Sequence, residues 1–156
     1  MLNKRSPLES TSNELPSPVR PTREAKAALA RIRKMCLALP EATERISHGA
    51  PCFFVRDKTA FVMFFDNHHR DGRLAIWCAA PEGMQHVLIE GDPERYFRPP
   101  YVGHRGWIGI RLDVRPDWTQ IAAFATEAYR VVAPRSLAKH LEGGPKRPSP
   151  PDSRER

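Results

Sequence analysis

The chain has 156 residues, of which 40% are hydrophobic and 28% charged, with a mean hydropathy of −0.53. That is a polar, one-domain composition whose apolar runs are far too short to cross a membrane. The net charge of +7 and pI of about 9.8 favour anionic partners, nucleic acid first, although such charge also serves solubility.

Every aromatic residue lies between Phe53 and Tyr129, and half of the 16 prolines lie outside 22–141. The ends are proline, serine and charge, which cannot offset chain entropy by burial. Residues 1–20 and 143–156 are therefore expected to be disordered tails, and 21–142 one folded domain. Cys36, Cys52 and Cys78 form no CxxC, and residues 1–20 lack the apolar core of a secretory signal. The expectation is a cytoplasmic protein with reduced thiols.

In chain order, Ala25, Ala28, Leu29, Ile32, Met35, Cys36 and Leu39 recur at helical spacing, with Thr22 to cap the helix and Pro40 to stop it. A short polar strand over 43–48 follows. Strands over 52–55 and 59–65 flank Arg56-Asp57-Lys58, a hairpin turn. Residues 66–72 read as a polar loop and 73–79 as a strand. A short helix is expected from Pro81 to Ile89, an edge strand near 94–97 and a strand over 107–112. Pro116-Asp117-Trp118 opens a long helix that Pro134 ends, and 136–141 adds a last turn. Consecutive strands with short connections imply an antiparallel sheet. The predicted fold class is α+β: a two-layer sandwich whose sheet is covered on one face by the N- and C-terminal helices.

Leu39-Pro40-Glu41-Ala42, the His48-Gly49 and Pro51-Cys52-Phe53 steps, and Pro99-Pro100-Tyr101-Val102-Gly103-His104-Arg105-Gly106-Trp107 resemble the MmcQ/YjbR family. Asp117-Trp118 and Ala128-Tyr129-Arg130-Val131-Val132-Ala133-Pro134-Arg135 resemble its last helix. The resemblance implies a fold similar to that of frataxin (CyaY). It also implies a candidate DNA-binding protein with a double-wing arrangement, and it brings no defined catalytic set. Frataxins carry an acidic ridge on the first helix; here that helix is basic, which argues against iron, and no cofactor is expected.

The candidate contacts fall in three places. Segment 98–107 offers Arg98, Tyr101, His104 and Arg105: guanidinium groups for phosphate or guanine, and an aromatic ring for stacking. Trp107 is assigned to the core. Gly103 and Gly106 would let a ligand approach the backbone. Lys26, Arg33 and Lys34, with Arg23 and Arg31, give the first helix a basic side that could follow a phosphate backbone. Arg56, Lys58, Arg70 and Arg73 sit at two hairpin tips, the expected wings. The His68-His69 pair fits no strong metal pattern, because adjacent histidines in a loop tend to point apart. His48 and Cys52 are the only nucleophile and base close in sequence, and no hydrolase, metalloprotease, Walker or Rossmann motif is present.

The leading expectation is a non-enzymatic DNA-binding protein of low sequence specificity, a monomer or weak homodimer that makes no membrane contact. The alternative is a small-anion module, or an unrecognised enzyme, with a pocket formed by Tyr101, His104, Arg105 and Arg111. A third reading is an adaptor, because the adjacent pairs Phe53-Phe54 and Phe64-Phe65 need both sheet faces covered.

Overall fold

The computed structural model describes residues 22–143, so the expected tails, apart from residue 143, lie outside the described residues. Helix α1 spans Arg23–Leu37, and the Thr22 hydroxyl accepts from Ala25 N at 3.1 Å as its cap. Its buried stripe is Ala25, Ala28, Ile32 and Cys36. Six strands follow: β1 (Ala42–Ser47), β2 (Ala50–Val55), β3 (Thr59–Asp66), β4 (Leu74–Cys78), β5 (Tyr96–Phe97) and β6 (Ile108–Arg111). They form one antiparallel sheet in the order β1-β2-β3-β4-β6-β5. Helix α2 (Met84–Gly91) precedes β5. Helix α3 (Trp118–Val132) starts on the Asp117 carboxylate, which accepts from Gln120 N at 3.1 Å. Helix α4 (Arg135–Ala138) follows Pro134. The α+β class and the sheet covered by the first and last long helices are as the sequence implies. No helix among the described residues is long and apolar enough to cross a membrane.

The register sorts side chains between the two faces, since paired residues share a face and neighbours alternate. Phe53, Val62, Cys78 and Ile108 share the face that meets α1 and α3, together with Phe64, Ile76 and Ile110. Tyr96 meets Phe124 of α3 there. The register between β2 and β3 shifts next to Phe61, and Phe61 meets Tyr129 of α3 edge-on at 5.5 Å. The opposite face carries Phe54, Met63, Phe65, Trp77 and Gly109. Trp77 is thus on the face away from the helices. Strand β4 is buried at all five positions, so its sequence holds no alternation from which to read a face.

Both members of each phenylalanine pair are buried. Phe53 and Phe64 lie against the helices. Phe54 is covered by the Arg45 guanidinium at 4.0 Å, and Phe65 by Trp77 at 4.0 Å and His68 at 4.6 Å. The condition that called for an adaptor's partner is met within the chain.

Candidate nucleic-acid interface

The two hairpin tips lie at opposite ends of β3. That strand has 8 residues, so Arg56 and Lys58 stand about 20 Å from the loop holding Arg70 and Arg73. The turn at Arg56-Asp57 is tight, with φ of 53° and 58°, and Lys58 N donates to Val55 O at 3.0 Å. Arg56 Nε donates to Glu41 Oε2 at 2.9 Å. Lys58 is exposed and has no acidic partner among the described residues. On α1, Arg33 Nε donates to both oxygens of Glu44, at 2.8 and 3.0 Å, while Lys26 and Lys34 are exposed. These helix cations lie on the α1–α3 side of the sheet, away from the tip of loop 67–73.

Segment 98–107 leaves β5 and folds back across the far face. Tyr101 comes within 6.3 Å of His68, and the Arg73 guanidinium sits 4.1 Å from the ring of Phe97. Arg105 lies over Trp107 at 5.6 Å, with Trp107 buried as expected. Gln85 of α2 pins the segment by donating to Gly103 O at 2.8 Å and Trp107 O at 2.6 Å. Both glycines also have a role within the segment. A Cβ on Gly103 would come within 2.6 Å of Arg98 Cγ, and Gly106, at φ 83°, donates its N–H to Gly103 O. The structure therefore gathers Arg70, Arg73, Arg98, Tyr101, His104 and Arg105 on two adjoining loops, and leaves Lys26, Arg33, Lys34, Arg56 and Lys58 elsewhere.

Charge pairing separates many of the arginines, while Lys26, Lys34 and Lys58 have no carboxylate partner among the described residues. Arg33, Arg45, Arg56, Arg95, Arg111, Arg115 and Arg130 each face a carboxylate. None of Arg70, Arg73, Arg98 and Arg105 has such a partner among the described residues. Arg111, expected in an anion pocket, is held by Asp113 through two hydrogen bonds of 2.9 and 3.0 Å. That pair neutralises it.

The loop beneath is strained. Asn67, His69 and Arg70 have φ of 57°, 48° and 63°. The backbone turn at His69 brings the two histidine rings to 4.1 Å instead of splaying them apart. His68 Nε2 and Trp77 Nε1 are buried without a hydrogen-bond partner. Nothing in the sequence marked His68, Trp77 and Phe97 as the seat of this surface, because they meet only through the fold. Burial pushes the Cys52 thiol up, away from a reactive thiolate. Among the described residues, no three His, Cys, Asp or Glu side chains are placed to share a metal ion.

The YjbR family model matches residues 37–131. The chain belongs to the YjbR family. It also shares its fold with the crystal structure of Deinococcus radiodurans protein DR2400, a DUF419 domain. That match has 14% identity and a TM-score of 0.60, and covers 76% of this chain and 95% of that one. No curated protein matches the chain. The matched span of this YjbR chain contains both loops of the surface.

Burial, and then the neighbouring His69, push the pKa of His68 below the ordinary histidine value, against a smaller pull from Asp71. A depressed value means that the unfolded chain takes up a proton the folded chain refuses. Folding stability should therefore fall as pH drops below about 6.5. The chain with His68→Phe should lose less stability than the natural chain between about pH 7 and about pH 5, by urea unfolding at each pH. Equal losses would show that His68 is not the group responsible.

Proposed function

We propose that this protein binds DNA, without catalysis and with low sequence specificity, through Arg70, Arg73, Arg98 and Arg105. The observation that carries this reading is the clustering, on two adjoining loops, of four guanidiniums that no carboxylate of the described residues faces. Phosphates need charge at the surface rather than exact spacing, and guanidinium groups bind them bidentately. Tyr101 and His104 stand among these cations and complete a basic and aromatic surface. The expected double wing becomes one wing, the tip of loop 67–73, working with segment 98–107. Basic residues of α1 and the Arg56 tip would add only distant attraction.

Anisotropy of a labelled DNA across several salt concentrations tests this. Binding should weaken steeply with salt. The double variant Arg98→Glu/Arg105→Glu should flatten the slope by about two phosphate contacts and weaken binding about ten- to a hundred-fold at low salt. Lys26→Glu/Lys34→Glu should leave the slope close to the natural one. The reverse pattern would move the interface to α1.

A further inference from the structure

We infer that Tyr101 is a stacking platform for an unpaired base, so that the surface prefers single-stranded DNA to duplex. This rests on the nucleic-acid reading above and names its substrate class. Tyr101 is 71% exposed, the most exposed large apolar side chain described. Its backbone has φ 66°, a conformation that bulky residues rarely adopt. A strained backbone is normally repaid by burial of the side chain; here the ring is offered to solvent, touching His68 edge-on. Strain that packing does not explain marks a presented group.

The surroundings suit a base. Each of the two loops already sets a guanidinium over an aromatic ring, Arg73 over Phe97 and Arg105 over Trp107. A flat heterocycle laid on the exposed ring extends that arrangement, with Arg98 and Arg105 near to take the flanking phosphates. Duplex DNA cannot use the ring in this way, because its bases are already stacked inside. A duplex reader would instead need a helix to enter a groove. The helix beside the segment is α2, which contains no lysine or arginine and exposes Val87, His86 and Glu90. Helix α1 is on the other side of the sheet.

The test compares a labelled oligothymidine of about fifteen nucleotides with a duplex of equal length, using the full chain at one low salt concentration. The single strand should bind at least about ten-fold more tightly. Tyr101→Ala should weaken single-strand binding about five- to a hundred-fold and duplex binding by a much smaller factor, while Tyr101→Phe keeps the natural affinity. Thermal unfolding of each variant reports that the fold is intact. Equal affinity for the two DNAs, or a single-strand preference that survives Tyr101→Ala, overturns this inference and leaves DNA binding standing. Failure of both DNAs to bind at low salt overturns the DNA reading itself.

Discussion

Tyr129→Ala should remove a large share of the stability of the fold, about 3–5 kcal/mol of a total of about 5–15. Tyr129 is fully buried on α3, with its ring edge-on to Phe61 at 5.5 Å and 88°. Its hydroxyl donates to the carbonyl of Pro40 at 2.6 Å, across 89 residues of sequence. Pro40 lies where the chain leaves α1 for β1, so one side chain ties the last long helix to the first connection. The ring and the hydroxyl separate cleanly. Tyr129→Phe keeps the packing and leaves the Pro40 carbonyl without its donor, at a cost of about 1–2 kcal/mol. Pro40 is only partly buried, so water can restore part of the loss and the lower figure is the better guide. Urea unfolding at constant slope should rank natural, Phe and Ala in that order. A Phe variant as stable as the natural chain would mean that the hydroxyl contributes nothing net.

The elements were legible wherever local chemistry sets them. The caps Thr22 and Asp117, the breaks at Pro40 and Pro134 and the Arg56-Asp57 turn all act within a few residues. Helix α2 begins later than the proline suggested, because Gly83 at φ 84° holds a turn ahead of Met84. The strand order was not legible: β4 skips β5 to pair with β6, and nothing in either segment encodes that choice. The face of Trp77 was hidden by a strand that is apolar throughout.

Segment 98–107 was legible as a candidate site because arginine, glycine, proline and aromatic residues crowd into one stretch. Which other cations join it was not. Arg33 finds Glu44 at 11 residues and Arg56 finds Glu41 at 15, distances over which composition alone reads both as free charge. Loop 67–73 was read as polar, with Arg70 and Arg73 as candidate contacts, yet its meeting with Tyr101 depends on segment 98–107 folding back over the sheet. Charge in the sequence is thus an upper bound on the charge a partner can use, and the fold decides the remainder.

Gly109→Ala should destabilise the protein by about 2–3 kcal/mol, although alanine is the better residue for an extended chain. Gly109 is central in β6, paired with Trp77 on one side and Phe97 on the other. The Phe97 ring lies across it, and a Cβ at Gly109 would overlap that ring. A strand glycine beneath an aromatic ring marks such a close approach. The φ of Gly109 is not in the left-handed region, so alanine meets no backbone strain and the whole cost is steric. Phe97 cannot simply move aside, because its ring is buried and the Arg73 guanidinium rests 4.1 Å from it. The double variant Phe97→Leu/Gly109→Ala, with a smaller side chain over the new methyl, should be more stable than the two single losses added together. A Gly109→Ala protein with the natural urea midpoint would show that the ring has room to shift. Phe97 directly precedes Arg98 and seats Arg73. If the proposed DNA contact is made there, the same methyl should also weaken it by displacing two of the four arginines, even under conditions where the variant remains folded.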